Sequence, residues 1–148
     1  MTALPMTELL KRGESFHLEL ARYYRSLSEK AEREETRELL DYLSRHEGNL
    51  GHCIEDCGRE APPAAAGHCF QWVPDVDAAR HLAPAALPAD AGSAEVIALA
   101  RRLEDCQVQL YQELVETCPP GDLRDLLGGL LEVERQQEKL LVWNLQTW

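Results

Sequence analysis

The chain repeats itself once, because residues 16–57 align without a gap on residues 103–144, an offset of 87. Identical pairs recur along this alignment, among them Tyr24 with Tyr111, Leu27 with Leu114, Glu29 with Glu116, Arg37 with Arg124, Leu43 with Leu130 and Glu47 with Glu134. Both copies carry apolar residues at helical spacing, so the repeat predicts two versions of one helical hairpin. A fold built from this chain therefore has to pack two similar hairpins against each other.

The apolar spacing of three and four residues predicts an all-α domain of four helices. Helix 1 is expected over residues 7–31, and helix 2 over residues 34–57 after a charged, tight reversal. Helix 3 is expected to begin after an N-cap at Ser93 and to end at Pro119-Pro120-Gly121. Helix 4 is expected over residues 122–147, so the hairpins cover residues 7–57 and 93–147 of one domain, 1–148.

A long connection joins the hairpins across residues 58–92, with one short helical pattern at residues 75–82. An up-down bundle needs only a few residues at this point, whereas 35 residues can run the length of a bundle. We therefore expect a crossover, with helix 3 beginning at the same end as helix 1. Such a crossover lets the hairpins pack around a pseudo-twofold axis, with equivalent residues meeting in the middle.

The charge and cysteine content narrow the function. A net charge of −11 disfavours nucleic acid and anionic membranes as partners. The sequence shows neither a basic leader nor an 18-residue apolar stretch, which predicts a soluble cytoplasmic protein. Five cysteines, an odd number in a chain of 148 residues, favour reduced thiols over a disulfide framework.

Four polar residues fall on the apolar stripes, one on each predicted helix. His17 lies on helix 1 and its repeat equivalent Glu104 on helix 3, and the equivalent pair Glu47 and Glu134 lies on helices 2 and 4. Carboxylates that converge in a core must share protons, pair with an imidazolium or bind a metal ion. The stripes therefore predict an interior polar site.

The paired hairpins, the long crossover and one inward polar group per helix resemble the ferritin-like carboxylate bundles, and the Tyr-Tyr, Ser-Glu-Lys-Ala and Leu-Leu runs most resemble rubrerythrins. The resemblance implies a di-iron centre, held by a glutamate from helices 1 and 3 and by Glu-x-x-His from helices 2 and 4. It also implies peroxide reduction or ferrous iron oxidation with an external electron donor, and a homodimer.

This chain departs from that pattern at three ligand positions. His17 replaces a glutamate, and the two histidine positions hold Leu50 and Gln137. We expect an altered centre, in which Glu104, Glu134 and Gln137 hold one ion, iron or another divalent metal, and His17 and Glu47 complete its shell. His46 offers a partial substitute for a lost histidine. The rubredoxin-like pair of Cys-x-x-Cys knuckles that supplies electrons in full-length rubrerythrins is absent from the sequence.

Two other functions stay open at this point. His17 can pair with Glu47 or Glu104 in a metal-free charge network, which would make the protein a non-enzymatic bundle with a structural, sensing or partner-binding role. Alternatively, the repeated Gly-His-Cys tripeptides place a zinc or thiol site at Cys53, Cys57, His68 and Cys69. Cys106 and Cys118 are interpreted as packing residues.

The last helix ends in the run 140–148, which is apolar on more than one face, so one bundle cannot bury all of it. This end either caps the crossover near Trp72 or forms the interface of a homodimer. The resemblance favours the homodimer.

Overall fold

The computed structural model describes residues 4–60, 69–70, 87–118 and 120–145 of the chain. Its four helices are α1, Met6–Lys30; α2, Glu34–Glu60; α3, Ser93–Thr117; and α4, Asp122–Leu145. They pack as a bundle, which confirms the all-α, four-helix prediction. None of the described helices is both long enough and apolar enough to span a membrane.

The ends of the helices follow the backbone conformation of their flanking residues. Helix α1 ends because Ala31 is extended, with ψ of 134°, and its N–H turns back to the Ser28 carbonyl. Helix α3 begins one residue earlier than predicted, because Gly92 occupies the N-cap position and its carbonyl accepts the N–H groups of Glu95 and Val96. The prediction of Ser93 as N-cap is therefore wrong. Before α4, Gly121 has a φ of 143°, which favours glycine.

Hydrogen bonds fix the direction of the second hairpin. The N–H of Glu32 donates to the Ala89 carbonyl over 2.9 Å, and the Thr36 hydroxyl donates to the Ala91 carbonyl over 2.7 Å. Helix α3 therefore begins beside the α1–α2 turn, at the end of the bundle where α1 finishes. The expectation that α3 begins at the end where α1 begins is wrong. Since α2 finishes at the far end, residues 60 and 87, which flank the connection, lie at opposite ends of the bundle.

The described part of that connection is small. Residues 69–70 form a two-residue strand, β2 (Cys69–Phe70), that pairs antiparallel with β1 (Leu4–Pro5), in front of α1. The predicted helix at residues 75–82, together with His68, Trp72 and Trp148, lies outside the described residues.

Two apolar layers make up the core, one at each end of the bundle. The layer near the start of α1 includes Leu10, Ile54, Leu114 and Leu127, and the layer near its end includes Leu20, Leu40, Leu99 and Leu141. Tight helix approaches support the first layer: a Cβ on Gly13 would lie 2.9 Å from the Tyr111 hydroxyl oxygen. His17, Glu47, Glu104 and Glu134 are buried on helix turns between these layers.

Candidate metal centre

A single histidine joins three helices at the middle of the bundle. His17 on α1 is fully buried, and its Nδ1 lies 2.5 Å from Glu47 Oε2 on α2. Its Nε2 lies 2.7 Å from Glu134 Oε1 on α4. Both carboxylates are at most 4 % exposed. The sequence suggested a metal-free pair of His17 with Glu47 or with Glu104. The structure pairs His17 with Glu47, and its second partner is Glu134 instead of Glu104.

The electrostatics make this histidine an imidazolium. Burial alone would lower the pKa of His17, but the charges and hydrogen bonds of Glu47 and Glu134 raise it to about 10. Both ring nitrogens thus carry protons at neutral pH, and each N–H donates to one carboxylate. In turn, although burial acts to raise the pKa of Glu134, its bonds with His17 lower it overall.

Glu104 on α3 completes the polar layer. Its side chain is 4 % exposed, and its pKa is raised well above the ordinary value, first by burial and then by its hydrogen bond and charge contact with Glu134. Glu104 is therefore a neutral carboxyl beside the charged Glu134. One continuous network runs from Glu47 through His17 and Glu134 to Glu104, with one member on every helix.

Four buried oxygens of this region have no hydrogen-bond donor among the described residues. They are Glu104 Oε1, Gln107 Oε1, Glu134 Oε2 and Gln137 Oε1. All four belong to α3 and α4, and three of the four side chains are at most 4 % exposed. All four acceptors therefore belong to the second hairpin, while the first hairpin supplies the imidazolium.

Sequence reasoning missed Gln107. Its signal was available, because Glu104-x-x-Gln107 on α3 has the same spacing as Glu134-x-x-Gln137 on α4. A helix turn brings residues three apart onto one face, so each helix aligns one carboxylate with one amide. The repeat hides this pattern, since the equivalents of Gln107 and Gln137 in the first copy are Leu20 and Leu50.

The geometry around His17 is that of hydrogen bonds. An ion about 2.1 Å from each ligand keeps neighbouring ligand atoms about 3 Å apart, which exceeds both separations at His17. Within the described residues, no group of three or more His, Cys, Asp or Glu side chains has an arrangement that could hold a metal ion. Any ion in this core would therefore depend on the amide oxygens as well.

Aromatic side chains enclose the polar layer. Tyr24 and Tyr111, which are repeat equivalents, are both buried. Burial first, and then the nearby carboxylates, raise the pKa of each phenol above its ordinary value, so both remain neutral. His46 is partly buried and stacks on Tyr42, with ring centroids 5.8 Å apart.

The proposed thiol site is described only in part. Cys53 is exposed and Cys57 is partly buried, one helix turn apart on α2. Burial, and then Cys53 and nearby carboxylates, raise the pKa of the Cys57 thiol, which opposes thiolate formation. Cys118 is buried in the apolar layer near the start of α1, and Cys106 is partly buried.

No protein-family model, curated protein or solved structure matches this chain. The features that bear on function are therefore the four-helix architecture and the buried layer of His17, Glu47, Glu104 and Glu134.

Proposed function

We propose that the protein binds one divalent cation between α3 and α4, through Glu104, Gln107, Glu134 and Gln137. The observation that carries this proposal is the set of four buried oxygens without a donor among the described residues. Three of these four residues, all except Gln107, belong to the altered centre that the sequence predicts. In this proposal neither His17 nor Glu47 contacts the ion: His17 contacts the ligand Glu134, and Glu47 contacts His17.

Chemistry favours a cation for this cluster. Carboxylate and amide oxygens are acceptors only, and each one buried without a partner costs about 1–3 kcal/mol. A cation contacts several such oxygens at once and also offsets the carboxylate charge. The raised pKa of Glu104 and the lowered pKa of Glu134 mean that this pair carries one negative charge, and a cation between them would allow both carboxylates to be charged.

The donor set indicates the kind of ion. Four oxygens suit Mn²⁺, Mg²⁺, Ca²⁺ or Fe²⁺ better than metals that prefer nitrogen and sulfur. A symmetric di-iron centre does not fit these residues, because both nitrogens of His17 are engaged by carboxylates and Leu50 has no ligand atom. A single ion on the α3–α4 side needs neither of those two residues as a ligand.

His17 has a positioning role in this proposal. Its Nε2–H holds Glu134 Oε1, which leaves Oε2 of the same carboxylate without a partner. Groups that fix a ligand in this way set both its orientation and its charge. If the ion is iron, it would supply redox chemistry, and an external electron donor would then be required for peroxide reduction.

Calorimetric titration of chelator-treated protein with Mn²⁺ tests the proposal. We expect one ion per chain, and binding at least about 100-fold weaker in Glu104→Gln and Gln137→Leu. Asp105→Asn is the matched control, because Asp105 is the exposed neighbour of Glu104 on α3. Cys53→Ser should also bind normally, since the thiol-site alternative requires Cys53 instead.

The second candidate is a metal-free bundle, and the direct hydrogen bonds of His17 favour it. Separations of 2.5 and 2.7 Å satisfy both ring nitrogens without any ion. In that case the polar layer specifies how the four helices pack, and the protein has a structural or partner-binding role. Failure to take up Mn²⁺, Fe²⁺ or Zn²⁺ would reject the cation proposal and leave this one.

A further inference from the structure

An uncharged stripe runs along the outer side of α4. We name it the α4 seam, and its members lie alternately three and four residues apart: Leu126, Gly129, Val133, Gln136, Leu140 and Trp143. Val133, Leu140 and Trp143 are 37 %, 48 % and 66 % exposed, and they are the exposed large hydrophobic residues of the described chain. A Cβ on Gly129 would meet no atom within 4 Å.

The spacing of the α4 seam is that of a coiled coil. Apolar residues that recur every 3.5 residues form a narrow contact line for a second helix, with Leu126, Val133 and Leu140 at position a. Apart from Leu126, which is partly buried against the apolar layer near the start of α1, this line is separate from the side of α4 that packs into the bundle, which carries Leu127 and Glu134. Helix α4 therefore has one contact face inside the bundle and a second one outside it.

We propose that the α4 seam pairs antiparallel with the α4 seam of a second copy of this chain. In an antiparallel pair, position a lies opposite position d of the partner helix. Leu126 then meets the partner's Trp143, and Gly129 meets the partner's Leu140, so large residues oppose smaller ones. A parallel pair would place Gly129 against the partner's Gly129 and leave a gap.

Charge complementarity supports the same direction. Glu132 and Lys139 precede the position a residues Val133 and Leu140, and both are exposed. In an antiparallel pair these flanking positions face each other, so Glu132 lies beside the partner's Lys139. Twofold symmetry forms this contact twice. A parallel pair sets neither charge against the other.

Sedimentation of the full-length chain, from about 1 to 100 µM, tests the pairing. We expect a dimer that becomes a monomer in Leu140→Asp. Glu132→Lys and Lys139→Glu should each weaken dimerisation about tenfold, because two like-charge contacts replace two opposite-charge contacts. The double variant Glu132→Lys/Lys139→Glu should regain the affinity of the original chain.

Arg135→Glu is the matched control, because Arg135 is exposed on α4 but lies off the seam. Its dimer should be as stable as that of the original chain, and circular dichroism verifies that each variant is folded. A monomer at every concentration would overturn the proposal, as would a Leu140→Asp dimer of unchanged affinity. A double variant weaker than both single variants would overturn the antiparallel arrangement.

Discussion

Replacing His17 by leucine tests whether the imidazolium holds the core together. The two side chains have similar volumes, so the change removes charge and hydrogen bonds while leaving little space. Glu47 and Glu134, both at most 4 % exposed, would then face each other across an apolar residue. Neither carboxylate can reach water without opening the bundle.

The cost can be worked from this geometry. Breaking a buried ion pair by removing one partner costs about 3–5 kcal/mol, and His17 serves two partners. The carboxylates can escape only by protonation, which at pH 7 costs about 3.5 kcal/mol each. We therefore expect the free energy of unfolding to fall by about 4–5 kcal/mol. Protonating both carboxylates sets an upper bound of about 7 kcal/mol.

The same reasoning predicts how the loss changes with pH. At pH 5 protonating a glutamate costs only about 1 kcal/mol, so the penalty of His17→Leu should shrink to about 2 kcal/mol. Urea unfolding followed by circular dichroism, with chelator present, measures both values. The triple variant His17→Leu/Glu47→Gln/Glu134→Gln should recover most of the loss at pH 7, because it removes the unpaired charges.

His52→Leu is the matched control for that experiment. His52 and Glu55 form a pair 3.7 Å apart, but the His52 side chain is 72 % exposed, so its loss should cost less than about 0.5 kcal/mol. A cost for His17→Leu as small as this, or one that does not change between pH 5 and pH 7, would refute the assignment of a buried imidazolium.

Three other outcomes follow from the same structure. Because the pKa of His17 is raised from 6.5 to about 10, the folded state holds this proton more tightly than the unfolded state. The resulting stability is complete below pH 6.5 and is lost towards pH 10, so the unfolding free energy of the metal-free protein should fall across that range in denaturant titrations. Gly13→Ala should destabilise the protein by about 1–3 kcal/mol, because the new Cβ would clash with Tyr111. Gly128→Ala should stabilise it by about 0.5–1 kcal/mol, because a Cβ there meets no atom within 4 Å and alanine favours the helix. Thermal unfolding measures both changes. Thr36→Val should cost about 1 kcal/mol and speed amide exchange before α3, where the hydroxyl bond is lost.

Helical periodicity was sufficient to identify the buried polar layer. A residue on an apolar stripe is carried into the core whatever its chemistry, so His17, Glu47, Glu104 and Glu134 could all be predicted. Their pairing could not be predicted in the same way. Whether His17 contacts Glu104 or Glu134 depends on the rotation of α1 against two neighbours, which a one-helix pattern does not contain.

The direction of α3 and the burial of the Gln107 amide were harder to predict. The length of the crossover indicated that it spans the bundle, but only the bonds from Glu32 and Thr36 to residues before α3 establish at which end α3 begins. Gln107 escaped notice because an uncharged amide on a stripe looks like a tolerated surface residue. Its burial became informative only beside the unpartnered oxygens of Glu104 and Glu134.

The two copies of the repeat differ where this cluster lies, and the difference predicts a conflict between stability and binding. Leu20 occupies in the first copy the place of Gln107 in the second. If Gln107 Oε1 is present for a cation, Gln107→Leu should remove an unsatisfied buried group and stabilise the metal-free protein by about 1–3 kcal/mol. The same change should weaken Mn²⁺ binding. Chemical unfolding and calorimetry of one protein sample measure both effects, and a loss of stability would show that the amide serves the fold instead.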